Sequence, residues 1–240
     1  MVEHSELSEN DILYEDNHLI IINKKPGEIV QGDKTGDLPL SEKLKIFLKN
    51  KYNKPGNVFI GVVHRIDRPV SGAVVFAKTS KGLARMNQLI KERDIKKTYW
   101  ALIEGQPEEN SGSLAHYLRK NQKKNKSFAV DEKTKGALYA ELEYRFVAAS
   151  NNYSLLEVEL MTGRHHQIRA QLATIGAPIK GDVKYGFKRL NKDGRMIHLH
   201  ARYLEFVHPV KKETVKITAP TPDDKLWDVF ADIMRLREDN

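Results

Sequence analysis

The sequence predicts an α+β fold: a mixed, mainly antiparallel β-sheet flanked by helices and loops. Three observations predict it. Short apolar runs of β-forming residues, each closed by turn chemistry, recur along the chain. Two pairs of these runs, within residues 12–23 and 139–160, are separated by tight polar turns and read as hairpins. Helical periodicity is confined to a few interspersed segments, so most connections are hairpins rather than βαβ crossovers. With 240 residues and 40% hydrophobic content, the chain can bury a real core.

Residues 12–23 are two β-like runs around Asp16-Asn17, closed by Lys24-Lys25-Pro26-Gly27. A polar loop follows at 33–37. Ser41 is placed to cap a helix over 42–51, with Leu44, Phe47 and Leu48 on one face. Apolar runs at 58–63 and 73–77 predict two strands joined by a charged loop. Residues 80–91 predict a helix, with Leu83, Met86, Asn87 and Ile90 at helical spacing. Strands follow at 97–104 and 112–118. Residues 119–126, Arg-Lys-Asn-Gln-Lys-Lys-Asn-Lys, read as a basic hairpin tip or mobile loop. Alternation over 139–147 and 153–160 predicts a hairpin turning at Ser150-Asn151-Asn152. A helix is expected at 165–175, strands at 196–207 and 213–219, and a last helix at 223–237. That helix would carry Leu226, Val229, Phe230, Ile233 and Met234 as its apolar stripe, with Trp227 in the core. There is no repeat, low-complexity tract or obvious linker. One domain is therefore expected over 12–240, behind a flexible tail at 1–11.

Forty Lys and Arg against 32 Asp and Glu leave a net charge of +8. Such a balance suits a polyanionic partner, nucleic acid being the commonest, although a basic protein without that function would look the same. The absence of cysteine excludes disulfides and thiolate metal sites and fits a reducing, cytoplasmic setting. The polar N-terminus argues against a signal peptide, and no apolar run approaches the ~20 residues that span a bilayer. His165 and His166 are adjacent, so on a helix they would point about 100° apart. His198 and His200 would share a strand face, but no carboxylate completes a ligand set, so no metal is expected.

The most informative stretch is Val-His-Arg-Ile-Asp-Arg-Pro-Val-Ser-Gly at 63–72. It sets Asp67 between Arg65 and Arg68 on a loop between strands. Nearby positive charge favours the ionised carboxylate, which suits a nucleophile or charge partner better than a general acid. An inconsequential surface ion-pair cluster is the bland alternative.

The stretch closely resembles the signature of the RluA-type pseudouridine synthases, His-Arg-Leu-Asp, two variable residues, then Thr-Ser-Gly. His64, Arg65, Asp67, Ser71 and Gly72 match, and Val70 replaces the usual Thr. Three further motifs occur in family order. Tyr14-Glu15-Asp16 and then Asn23-Lys24-Lys25-Pro26-Gly27 match the opening motif with one extra Lys. Lys96-Lys97-Thr98-Tyr99 matches a basic residue followed by the tyrosine that contacts the target base. Thr162-Gly163-Arg164, His166-Gln167-Ile168-Arg169 and Gly181-Asp182 match the third, although Gln171 stands where the family often has His.

The resemblance implies a pseudouridine-synthase-like fold and the isomerisation of a uridine in tRNA or rRNA to pseudouridine. It makes Asp67 the nucleophile, attacking C1′ or C6, and Arg169 the arginine that pairs with it. Tyr99 would stack on the base and help remove the C5 proton. Arg65 would fill the space left by the flipped base. His64, Arg68, Lys96, Lys97, Arg164, His166, Lys123 and Lys124 would contact RNA, with affinity falling as salt rises. No cofactor is implied, and no protein partner is evident, so a monomer is expected. Many relatives carry an extra small N-terminal RNA-binding domain, and 11 residues before the first strand are too few for one. A non-catalytic RNA-binding protein that kept the fold is the competing reading; loss of Asp67, Tyr99 or Arg169 would mark it.

Overall fold

The computed structural model describes residues 7–238. Its strands are β1 (Ile12–Glu15), β2 (Leu19–Lys24), β3 (Gly61–Val62), β4 (Ser71–Ala77), β5 (Ile95–Glu104), β6 (Ser111–Asn121), β7 (Lys126–Val130), β8 (Leu138–Ala149), β9 (Tyr153–Leu160), β10 (Leu199–Val207) and β11 (Thr214–Thr218). Its α-helices are α1 (Leu40–Lys51), α2 (Ser80–Glu92), α3 (Gln167–Thr174) and α4 (Lys225–Glu238). The chain falls into two compact units, Met1–Lys96 with Ala201–Pro220, and Lys97–His200 with Thr221–Asn240. The α+β class and the mainly antiparallel pairing are as the sequence predicts.

In the first unit β2 is antiparallel to both β1 and β4. The short β3 pairs with β4, and β11 with β10. One face carries a core that includes Leu19, Ile21, Val75, Met86, Leu204 and Phe206. In the second unit the strand order is β5-β9-β8-β6-β7, all antiparallel. Trp100, Leu102, Leu155, Trp227 and Phe230 belong to one of its apolar clusters, with α4 supplying the last two.

The differences from expectation have local causes. Helix α1 starts at Leu40, and Ser41 lies inside it. The N–H groups of Leu40 and Ser41 donate to the Ile29 and Val30 carbonyls at 2.8 and 3.2 Å, so the preceding loop does the work of a side-chain cap. Helix α3 begins at Gln167, two residues late, because His166 adopts a left-handed conformation (φ 53°) that no helix continues through. On α4, Val229 is 44% exposed, while Leu226, Ile233 and Met234 pack on the Trp227 cluster. Strand β7, whose single buried residue gives no apolar pattern, pairs with the end of β6 and leaves 122–125 as the tip of the basic hairpin. Residues 1–6 of the expected tail lie outside the described residues. Glu9–Asp11 form a 3-10 turn, whose Asp11 pairs with Lys25 at 2.9 Å.

Candidate active site

The loop from His64 to Val70 joins β3 to β4 and is braced from inside the first unit. Asp67 is half-buried on it, between exposed Arg65 and Arg68. The turn closes when Val70 N–H donates to the Asp67 carbonyl at 3.0 Å. His64 Nε2 accepts from the Val75 N–H at 3.1 Å, tying the loop's start to β4. Val70 is buried, so the residue that departs from the family's threonine fills a core position. Arg68 pairs with Asp37 at 2.5 Å.

The main brace is Lys24, which the motif alone gives no role. It lies opposite Gly72 in the β2–β4 register and is only 1% exposed. Its Nζ donates to the carbonyls of Lys25 and Glu28, both at 2.9 Å, and of Arg68 at 3.1 Å. One ammonium thus joins the 25–28 turn to the Asp67 loop. Burial pushes it down to about 7, against the pull of the Glu28 and Asp67 carboxylates. A signal for it exists in the sequence: strand alternation puts Lys24 on the same side as Ile20 and Ile22. Gly72 has φ +113°, and a Cβ there would lie 2.6 Å from the Ala201 backbone nitrogen, so no larger residue fits.

The second unit carries the other predicted residues. Tyr99 is buried on β5, opposite Val158 of β9. Its neighbours Trp100 and Leu102 belong to the α4 cluster, so Tyr99 faces away from that cluster. Arg169 on α3 is 4% exposed. Its Nε and Nη2 donate to the two carboxylate oxygens of Asp182 at 2.6 and 2.8 Å, a bidentate pair. The Tyr185 ring lies 5.0 Å from the Arg169 guanidinium. Asp182, which enters the sequence pattern only as part of a motif, and Tyr185 therefore hold the arginine in place.

The turn before α3 explains the rest of that motif. Thr162 Oγ1 and the Arg164 N–H both donate to Gln167 Oε1 at 2.8 Å, while Gln167 Nε2 donates to the Glu141 carbonyl at 2.9 Å. Arg164 Nε donates to the Tyr139 carbonyl at 2.7 Å. His166 is buried, with Nδ1 3.0 Å from the Tyr185 hydroxyl. Burial first, then the Arg169 charge, holds it far below the usual imidazole range. Gln171 donates to the Leu114 and Ala140 carbonyls at 2.7 and 3.2 Å, so this departure from the family anchors α3 to β6 and β8.

The predicted RNA contacts sort by exposure. Arg65, Arg68, Lys96, Lys123 and Lys124 are exposed; His64, Lys97 and Arg164 are half-buried; His166 is buried. Burial lowers the Lys97 ammonium below its ordinary value. His198 and His200 lie 5.4 and 6.0 Å from the Trp227 ring, and His198 Nε2 lies 3.0 Å from Asp224 Oδ1. Among the described residues, no group of three or more His, Asp or Glu is placed to hold a metal ion, and no helix is long and apolar enough to cross a membrane.

The first unit thus presents a carboxylate on a braced strand-to-strand turn, and the second holds a buried tyrosine and a buried, ion-paired arginine. The chain belongs to the RNA pseudouridylate synthase family, whose pattern it matches over residues 18–174. It is 34% identical to the ribosomal large subunit pseudouridine synthase C of Buchnera aphidicola subsp. Acyrthosiphon pisum, over 93% of this chain and 71% of that one. An uncharacterized RNA pseudouridine synthase of Bacillus subtilis is 34% identical over 91% of this chain and 71% of its own length. A Synechocystis counterpart is 33% identical over 88% and 65%. The chain thus spans about two thirds of the length of these relatives, 65 to 71%. The solved human RNA Pseudouridylate Synthase Domain Containing 4 has the same fold, with a TM-score of 0.76 and 23% identity over 92% of each chain.

Proposed function

We propose that the protein isomerises a uridine in RNA to pseudouridine, with Asp67 as the nucleophile. The observation that carries this reading is the family match over residues 18–174, which includes Asp67 on its braced turn. The carboxylate attacks the nucleoside at C1′ or C6. The N1–C1′ bond breaks, the uracil turns, C5 bonds to C1′, and the bond to Asp67 is released; the C5 proton leaves and N1 takes up a proton, so the composition is unchanged. Tyr99 stacks on the base and assists that proton's removal. Arg169, held by Asp182, is the arginine that pairs with the nucleophile. The uridine must leave its helix, at a cost of a few kcal/mol, and exposed Arg65 takes its place in the stack. Lys123 and Lys124 contact phosphates, with Arg68 and Lys96 as further cations.

Large-subunit ribosomal RNA is the proposed substrate, since several relatives at 30 to 34% identity are named for it. We take the two units as one catalytic domain acting as a cytoplasmic monomer without a cofactor. The test is tritium release from C5-labelled uridine, with ribosomal and transfer RNA as separate substrates and Asp67→Ala as control. Release from ribosomal RNA, absent in the variant, is expected. Release confined to transfer RNA would overturn the substrate, and release by the variant would overturn the nucleophile.

A further inference from the structure

The basic hairpin of β6 and β7 has a structural problem of its own. Strand β7 is the last in its sheet and pairs only with β6. A two-stranded ribbon is marginal alone. This one also carries Arg119, Lys120, Lys123 and Lys124, all exposed, so its own charges repel. It nevertheless has a defined tip: Asn125 is left-handed (φ 43°), and the Lys124 N–H donates to Asn121 Oδ1 at 3.0 Å.

What holds it is a set of bonds from the α3 entry and the 183–185 turn. The Ser127 N–H, on the unpaired edge of β7, donates to the Tyr185 hydroxyl at 2.8 Å. Ser127 Oγ lies 2.9 Å from His165 Nδ1, and His165 Nε2 lies 3.2 Å from Asn125 Oδ1. The His165 ring stacks on His166 at 3.8 Å, which fixes its plane. Lys126 and Lys184 cross-tie the same segment, donating to the Lys184 and Asn125 carbonyls at 2.5 and 3.3 Å. His165 occupies the variable position between Arg164 and His166 in the motif, so the family pattern itself assigns it no role.

We propose that His165 is a positioning residue for RNA engagement: with Ser127 and Tyr185 it latches the hairpin so that Lys123 and Lys124 meet the RNA backbone in one fixed pose. A preorganised cation array loses less side-chain and loop freedom on binding than a mobile one. The inference rests on the RNA-modifying reading only in taking RNA as the ligand.

The experiment measures binding of an unmodified large-subunit ribosomal RNA transcript by the Asp67→Asn protein, so that it does not depend on turnover. His165→Ala in that background should weaken binding about tenfold and lower the slope of log affinity against log salt by about two, one for each phosphate that Lys123 and Lys124 no longer neutralise. His165→Asn, whose amide can replace Nδ1 toward Ser127, should restore most of it. Ser127→Ala should behave like His165→Ala and keeps the test open if the histidine variant does not fold. Adding Lys123→Ala and Lys124→Ala to His165→Ala should cost much less than the same pair of changes in the parent. In the Asp67 protein, His165→Ala should raise KM and leave kcat unchanged. Unchanged binding and salt slope, full additivity with the lysine changes, or a loss confined to kcat would each overturn the latch. Latch-dependent binding without tritium release in the Asp67 protein would instead overturn the isomerase reading and leave the latch standing.

Discussion

At the residue scale, the strand-to-strand turn that carries Asp67 was legible because it is a contiguous motif, while the bracing contacts of Lys24 and Asp182 were not. Their roles depend on partners 44 and 13 residues away, which no local pattern reports. The motif around Lys24 also carries one lysine more than the family's, and the sequence does not say which is the extra one. Its buried ammonium holds three backbone carbonyls that nothing apolar can satisfy. Lys24→Met should therefore lower stability by about 1–3 kcal/mol in urea unfolding and reduce turnover more than RNA binding. A variant as stable and active as the parent would mean that the Asp67 loop does not need this brace. The Arg169–Asp182 pair gives a sharper case. Asp182→Asn leaves a buried guanidinium short of its anion, at a cost of about 3 kcal/mol. A loss under about 1 kcal/mol would show that Arg169 is held by other groups.

At the element scale, hairpins and amphipathic helices were read well, because periods of 2 and 3.6 are local signals. Errors fell where backbone partners came from distant loops, as at the start of α1, or where one residue left the helical region, as at His166. Strand β7, Lys-Ser-Phe-Ala-Val, was hidden because it is short and buries only Ser127, so no apolar alternation marks it. Where capping is local, the effect should be local too. Thr79 Oγ1 accepts from the Gly82 N–H at 3.0 Å at the start of α2, so Thr79→Ala should cost about 1 kcal/mol in thermal unfolding. Gly72→Ala should cost more than that, since its φ of +113° and the Ala201 backbone leave no room for a methyl group. The reverse order would contradict the strand geometry described for β4.

At the scale of the whole molecule, net charge pointed to a polyanion, and the family match then named RNA. Titration reports on the fold. Burial holds His166 and His198 below the ordinary imidazole value of 6.5, so the folded state keeps them neutral while the unfolded chain takes up protons. Stability should therefore fall as pH drops below about 6.5, by up to ~1.4 kcal/mol per pH unit for each group. Asp11 and Glu15 behave oppositely in sign. Burial raises them, but the Ser8 backbone N–H with Lys25, and Lys78 with Lys51, outweigh it and leave both lowered. Their contribution is present above about pH 4 and is lost only below it. Thermal unfolding should show an acid-side loss beginning near pH 6.5, and His166→Asn should reduce it. A flat profile from about pH 7 to 5 would mean that these imidazoles are protonated in the folded protein.

The central claim is that Asp67 acts as a nucleophile and not merely as a binding group. The direct test is tritium release from C5-labelled ribosomal RNA by the Asp67→Asn protein, with RNA affinity measured on the same preparation. Asparagine keeps the shape and removes the anion. RNA binding close to that of the parent and no release above background are expected. Release at the parent's rate would contradict the nucleophile role of Asp67 and move the chemistry to another group.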